Sequence, residues 1–289
     1  MFRETVKHVA LPVLYFMLYQ FVFSFVCYMA ATVYAVCAGG VSVDEILKLV
    51  SNGAPMTSLM GNYTTDAMAW GLLLSSLATM WHLTHFGYFN FGKQPLNKVK
   101  GGVMALSVVL VFLAMLVFNI IAQWAGLPDE MEVQMNALSK NVVGVLAIAV
   151  AGPILEEMLF RGAIQGYLMR KFSNPWVGIL AASLVFGLIH VNPIQVFYAT
   201  MLGIVFGWIY YRTGNLMPVV IGHVLNNSMA AMMMYFGLDA EEKALSASSE
   251  ITLLIVSSVA AVVAAWLINR IQQDIIPWYD SADKQQATE

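Results

Sequence analysis

Eight apolar runs follow one another along the chain, separated by short polar segments. Most of them reach the roughly 20 residues that a helix needs to cross the hydrocarbon core of a bilayer, and the fifth is shorter. The predicted spans are residues 9–36, 67–86, 102–124, 142–168, 176–190, 194–211, 218–236 and 251–268. The pattern therefore predicts an all-α, polytopic integral membrane protein with about eight transmembrane helices.

Composition supports this class and limits the partners. Of the 289 residues, 60% are hydrophobic and 11% are charged, which excludes an ordinary soluble domain. The net charge is only −3 and the basic residues are scattered, so we expect no nucleic-acid partner. The lipid bilayer is the partner that the composition implies.

Basic residues are distributed unevenly between the predicted loops. With a cytoplasmic N-terminus, ten of the 14 Lys and Arg residues fall on the cytoplasmic side, three fall outside, and Arg161 lies in the membrane. This asymmetry favours cytoplasmic N- and C-termini. The first run is too long for a signal-peptide core and has no clear cleavage signal, so we expect a retained span. Short loops and the lack of targeting features favour a bacterial inner membrane.

The chain is predicted to form three parts. Residues 1–140 contain the first three spans, residues 141–237 the core with spans four to seven, and residues 238–289 the last span and a polar cytoplasmic tail. Residues 43–50 are predicted to form a short amphipathic helix, and residues 127–140 an acidic connection.

Glycines bear on how the spans pack. Gly203 and Gly207 have the small-xxx-small spacing that permits close helix packing. The Gly152-Pro153 step is predicted to bend or restart the fourth span, because proline has no N–H to donate.

The fourth span carries two carboxylates and a guanidinium, at Glu156, Glu157 and Arg161. A lone charge near the bilayer centre costs from about 3 to more than 10 kcal/mol, so such residues face a protein interior or a wet cavity. Glu157 and Arg161 are four residues apart and can pair, while Glu156 points about 100° away. Two interpretations stay open: an ion pair that holds helices together, or a functional site.

The other strongly polar residues within predicted spans are His190, His223, Asn226 and Asn227. His223 and Asn227 share a helix face, which would let both point at the same atom. At about 1.5 Å per residue from the cytoplasmic ends, Glu156 and His190 both lie about 22 Å deep, but His223 lies only about 10 Å deep. A tilted helix or a dipping loop must close this gap. Asn226 is predicted to form hydrogen bonds between helices instead.

A glutamate, two histidines and an asparagine in one cavity supply the groups that amide hydrolysis needs. The carboxylate can act as a general base towards water, and a histidine can share that water or protonate the leaving amine. A second histidine and an amide can donate hydrogen bonds to the oxyanion, a contact worth about 3 kcal/mol. The same glutamate and histidines could instead hold zinc, which would lower the pKa of bound water to about 7.

Three motifs, in order and each in its own span, resemble the signature of a known family. They are Glu156-Glu157-x-x-x-Arg161, Phe186-x-x-x-His190 and His223-x-x-x-Asn227. This pattern resembles the CAAX prenyl protease and bacteriocin-processing family of intramembrane proteases, also called the abortive-infection or type II CAAX endopeptidase family. The resemblance covers residues 142–236, about a third of the chain.

The resemblance implies an intramembrane endopeptidase that acts on a peptide or membrane-protein substrate. It implies that Glu156 activates a water together with His190, while His223 and Asn227 form the oxyanion site. The residues with implied supporting roles are Glu157, Arg161 and Phe186.

Metal use is open in this family, which has been described both as metalloprotease and as metal-independent glutamate protease. An asparagine beside His223 suits an oxyanion better than zinc, so no cofactor is favoured. If zinc is used, the resemblance implies Glu156, His190 and His223 as its ligands.

Two other classes of function stay open. A proton-coupled transporter could use Glu156 and the histidines as a relay, although the chain has no internal repeat of the kind that transporters usually show. A non-catalytic scaffold or immunity protein would keep its biological effect without Glu156. Other intramembrane protease chemistries are less well supported, because the sequence has no His-Glu-x-x-His motif and no aspartate inside a predicted span.

Overall fold

The computed structural model describes residues 2–53, 61–90, 99–237 and 246–272, and these are helical with no strand among them. The helices are α1 (Arg3–Cys37), α2 (Val43–Ser51), α3 (Asn62–His85), α4 (Gly101–Trp124), α5 (Glu132–Ser139), α6 (Val142–Lys171), α7 (Pro175–Leu188), α8 (Pro193–Thr213), α9 (Met217–Phe236) and α10 (Ala247–Ile271). The prediction of a polytopic all-α membrane protein is confirmed.

Each of the eight predicted spans corresponds to one of these helices. Within the described ranges, six are long and apolar enough to cross a membrane, namely α1, α4, α6, α8, α9 and α10. At 24 residues α3 is long enough but is less apolar, and α7 has only 14 residues. The last turn of the short α7 lies close to the polar residues of the fourth span, since the Phe186 ring lies 4.5 Å from the Arg161 guanidinium.

The two shortest helices lie between spans. The predicted amphipathic helix is confirmed as α2, whereas α5 occupies part of the predicted acidic connection, where no helix was expected. Lys93 and Lys98 between the second and third predicted spans, residues 239–242, and the tail after residue 272 lie outside the described residues.

Helix α6 forms the centre of the bundle. All nine residues of Glu157–Gln165 are buried, and α6 packs against α3, α7, α8 and α9. One apolar core joins α6 to α7, and a second joins α4, α8, α9 and α10 around Phe206 and Tyr210.

Helix α6 departs from α-helical winding in two stretches. Leu146–Ala151 and Glu157–Gln165 are π-helical, and the α-helical turn Gly152–Glu156 lies between them. The helix therefore continues through the Gly152-Pro153 step but restarts its α-helical winding there. Such π-helical stretches occur frequently at functional sites.

The predicted close packing at Gly203 and Gly207 is confirmed. A Cβ atom added to Gly203 would lie 3.0 Å from the Cβ atom of Ser183 on α7, and one added to Gly207 would lie 2.8 Å from Oε1 of Gln165 on α6. These glycines therefore let α8 approach α6 and α7 so closely that an added Cβ atom would force the neighbouring side chains to shift.

Candidate active site

Two adjacent carboxylates of α6 meet one imidazole of α9. Oε1 of Glu157 lies 2.8 Å from Nδ1 of His223, and Oε2 of Glu156 lies 3.6 Å from its Nε2. Glu156 ends the α-helical turn and Glu157 begins the second π-helical stretch. Although a step of about 100° separates them on the helix, both reach His223, which therefore lies close to the glutamates despite the depth mismatch that counting residues gave.

The predicted pair of Glu157 and Arg161 is confirmed. Nη1 of Arg161 donates to Oε1 of Glu157 at 2.9 Å, and Nη2 donates to the carbonyl oxygen of Gly203 at 3.2 Å. The guanidinium also lies over the rings of Phe186 and Phe206, at 4.5 and 5.2 Å from their centroids. A charge at 1% exposure is tolerated because these contacts replace the water that it has lost.

The hydrogen-bond pattern determines one proton of His223. As an ionised carboxylate paired with Arg161, Glu157 can only accept, so the hydrogen between it and His223 is assigned to Nδ1 of His223. Nε2 then faces Glu156 at 3.6 Å, which is too long for a hydrogen bond. With both imidazole nitrogens protonated, the charges of Glu156, Glu157, Arg161 and His223 sum to zero.

His190 lies just beyond the end of α7, and Phe186 orients its ring. Nδ1 of His190 lies 2.8 Å from the carbonyl oxygen of Phe186, which can only accept, so Nδ1 donates and Nε2 is the nitrogen left to accept a proton. The Phe186 ring makes edge contacts with both His190 and His223, at centroid distances of 5.1 and 6.0 Å. No hydrogen bond joins His190 to Glu156 in the described part of the chain, so their shared water stays a prediction.

The carboxamide of Asn227 has partners of its own. Its Nδ2 donates to the carbonyl oxygen of Ile148 at 3.1 Å, and its Oδ1 accepts from Asn226 at 3.0 Å. Asn226 in turn accepts from the Tyr198 hydroxyl at 3.4 Å, which agrees with its predicted role between helices. In this arrangement Asn227 and His223 do not point at one atom, so an oxyanion role for Asn227 requires its amide to leave Ile148.

A clamp after His190 was not predicted from the sequence. Nδ2 of Asn192 donates to Asp129 at 2.8 Å, and Oδ1 of Asn192 accepts from the backbone of Glu130 at 3.1 Å. Val191, between His190 and this clamp, has a φ of 61°, a left-handed conformation that strains a β-branched residue. Backbone strain of this kind is concentrated at functional sites. We therefore interpret the hydrogen bonds of Asn192 as contacts that hold His190 in place.

Gln165 is a second buried residue that the sequence reasoning missed. It is fully buried, and its Nε2 donates to the carbonyl oxygen of Gly207 at 2.8 Å. Arg161 donates to the carbonyl oxygen of Gly203 in the same way. Two side chains four residues apart on α6 thus form hydrogen bonds with two glycines four residues apart on α8. The signal was available in the sequence, since Gln165 lies one turn beyond Arg161 in an apolar helix.

The predicted zinc alternative requires that Glu156, His190 and His223 lie together around one point. Among the residues that the structure describes, no three His, Cys, Asp or Glu side chains lie together in a way that could hold a metal ion. Glu156 and His223 are close to each other, but His190 does not join them as a third ligand among the described residues. The arrangement of these described residues therefore does not fit a three-ligand zinc site.

Comparisons with known proteins confirm the resemblance over the core of the chain. Residues 138–229, which contain every predicted site residue, match the family described as Type II CAAX prenyl endopeptidase Rce1-like. Over 89 residues the chain is 29% identical to "Putative membrane peptidase YdiL" of Bacillus subtilis (strain 168), which covers 31% of this chain and 36% of that relative. The match thus spans about a third of the relative's length. No solved structure matches the chain significantly.

Proposed function

We propose that this protein is an intramembrane endopeptidase in which Glu156 activates a water for attack on a peptide carbonyl. The comparisons support a membrane protease, and the observation that carries the finer proposal is the series of contacts Glu156–His223–Glu157–Arg161 within the matching region. The substrate is a peptide or membrane protein cleaved within or beside the bilayer. We also propose that the membrane is a bacterial inner membrane and that both termini are cytoplasmic.

The difference in exposure supports different roles for the two glutamates. The side chain of Glu156 is 18% exposed, whereas that of Glu157 is fully buried and already bonded to Arg161 and His223. Only Glu156 is therefore accessible to a water and a substrate. Glu157 acts as a positioning residue that orients His223.

The proposed reaction is a general-base hydrolysis. Glu156 takes a proton from water as the water oxygen bonds to the carbonyl carbon, and the carbonyl π electrons move to its oxygen. Nε2 of His223, when protonated, donates to this oxyanion, because the 3.6 Å gap leaves it uncommitted to Glu156. The C–N bond then breaks, the carbonyl re-forms, and the amine nitrogen takes the proton from Glu156. Nε2 of His190, the accepting nitrogen, is proposed to orient the water.

Asn227 is proposed to join the oxyanion site only when substrate binds. Its amide donor is bonded to Ile148 in the first π-helical stretch of α6, where backbone bonds follow a wider spacing than in an α-helix. A substrate carbonyl that replaces the Ile148 oxygen would give the same amide a new acceptor at no net loss of hydrogen bonds.

The test compares cleavage products in membranes. Wild type, Glu156→Gln and the control Glu132→Gln, which changes an exposed carboxylate on α5, are expressed in one host, and new peptide termini in the membrane fraction are identified by mass spectrometry. We expect the same new termini from wild type and Glu132→Gln, and none of them from Glu156→Gln. Identical termini from all three proteins would overturn the proposal. A biological effect that survives Glu156→Gln would favour the scaffold alternative instead.

A further inference from the structure

Helix α2 has one apolar side and one polar side. Its apolar stripe, defined here as Val43, Ile46, Leu47 and Val50, follows the spacing that places residues on one face of a helix. Val43, Leu47 and Val50 are 56%, 60% and 62% exposed, so more than half of each of these side chains is left uncovered by the described protein. The other side carries Asp44, Glu45 and Lys48, all exposed.

A capping box fixes the N-terminus of α2. The Ser42 hydroxyl accepts from the backbone of Glu45 at 3.2 Å, and the Glu45 carboxylate accepts from the backbone of Ser42 at 2.9 Å. The hydrogen bond from the Ser42 backbone holds the pKa of Glu45 below its ordinary value. A capped helix of nine residues is nevertheless marginal in water, so α2 needs a surface on which its apolar stripe is buried.

The chain before α2 folds back onto the end of α1. The backbone N–H groups of Gly39 and Val41 both donate to the carbonyl oxygen of Ala35, at 3.1 and 3.2 Å, and Gly40 makes the turn with a φ of 73°. One turn earlier, Val33 and Tyr34 are each 57% exposed on the outside of a membrane span. The start of α2 therefore lies at the level where α1 leaves the bilayer.

We propose that α2 is an interfacial helix whose apolar stripe is seated in the lipid at the boundary between headgroups and acyl chains. Its polar side faces water, and its axis runs along the membrane surface in the leaflet where α1 ends. The bilayer is the occupant that the structure favours, because only residues 38–42 separate the stripe from the end of α1, a candidate membrane span with exposed apolar side chains. This inference is independent of the proteolytic activity.

Spin-label accessibility tests the placement of α2. Cys27 and Cys37 are replaced by serine, and Leu47→Cys and its neighbour Lys48→Cys are each labelled with a nitroxide. The proteins are reconstituted in vesicles of phosphatidylethanolamine and phosphatidylglycerol at a three-to-one ratio. We expect the label at residue 47 to be more accessible to oxygen than to a water-soluble nickel chelate, and the label at residue 48 to show the reverse.

A second pair on the next turn provides an independent check. Val50→Cys lies on the apolar stripe and Ser51→Cys beside it, and the same contrast between oxygen and nickel is expected there. Equal accessibility of both members of a pair to the nickel chelate would overturn the proposal, because it would place α2 in water. Labels at residues 47 and 50 that are shielded from both reagents would also overturn it. If that shielding disappears on tenfold dilution with lipid, a second copy of the chain is the occupant.

Discussion

Glu157 bonds to two partners through a single oxygen atom, Arg161 at 2.9 Å and His223 at 2.8 Å. Its neighbour Glu156 contacts the same imidazole from the other side and keeps part of its side chain exposed. At the scale of single residues, the difference in burial between these adjacent carboxylates is the basis for the different roles proposed for them. The buried one holds the site together, and the accessible one is available to react.

Replacing Glu157 by glutamine should destabilise the protein strongly. The change leaves the Arg161 guanidinium buried without a counter-charge, and removing one partner of a buried ion pair costs about 3 kcal/mol. Thermal unfolding in detergent measures the effect, with the exposed Glu132→Gln as the control, which should lie within about 0.5 kcal/mol of wild type. A Glu157→Gln variant that unfolds with the control would mean that the pair is not a structural anchor.

Replacing Val191 by glycine should stabilise the protein. Glycine adopts the left-handed backbone without strain, and the gain should be about 0.5–1 kcal/mol after its larger loss of entropy on folding. The control is Val177→Gly on the exposed side of α7, which should destabilise the protein by about 1 kcal/mol. If both variants lower the unfolding temperature alike, the strain at Val191 is absent.

At the scale of helices, hydropathy predicted the spans because a bilayer requires long apolar helices whose backbone groups are satisfied internally. The spacing of four residues predicted the Glu157–Arg161 pair for a similarly local reason. The two π-helical stretches of α6 were not predictable, because winding depends on packing against α3, α8 and α9. Helix α5 was missed because it is short and mixes polar and apolar residues without a clear period.

Replacing Gly207 by alanine should loosen the contact between α6 and α8. The added Cβ atom would lie 2.8 Å from Oε1 of Gln165 and 3.1 Å from a side-chain carbon of Ile179, and such overpacking costs about 1–3 kcal/mol. The control is Gly102→Ala in the first turn of α4, where an added Cβ meets nothing within 4 Å and alanine should be neutral or favourable. Equal unfolding temperatures for the two variants would contradict the close approach.

Part of the site could not be predicted because it depends on contacts between distant parts of the chain. Asn192 bonds to Asp129 across 63 positions, and His223 bonds to Glu157 across 66. A single sequence gives the depth of a residue along its own helix but not the tilt and height of one helix against another. For this reason counting residues placed His223 about 12 Å from the level of Glu156, although the two side chains approach to 3.6 Å.

At the scale of the whole molecule, the charge asymmetry predicts that the α5–α6 connection is outside and the α6–α7 connection is cytoplasmic. Lys140→Cys and Ser173→Cys place single thiols in these two exposed connections, in the background without native cysteines. A membrane-impermeant maleimide should label the cysteine at position 140 in intact cells and the cysteine at position 173 only after permeabilisation. The reverse result would invert the orientation.

Chelation tests whether the proteolysis uses a metal. We expect membranes treated with 1,10-phenanthroline to yield the same new peptide termini as untreated membranes, because the proposed reaction uses a water and side chains of the protein but no metal ion. In a second arm of the experiment, a zinc salt is added to the membranes treated with the chelator. A loss of cleavage that zinc restores would replace the glutamate mechanism by a metal-dependent one.

The rate of peptide-bond cleavage by purified, reconstituted Glu156→Gln tests the central claim most directly. A peptide identified from the membrane experiment serves as substrate, and the melting temperature of each variant is recorded alongside. The account predicts a rate about 10²–10⁴-fold below that of wild type and of Glu132→Gln, with an unchanged melting temperature, because a general base contributes that much. A rate within threefold of wild type would contradict it.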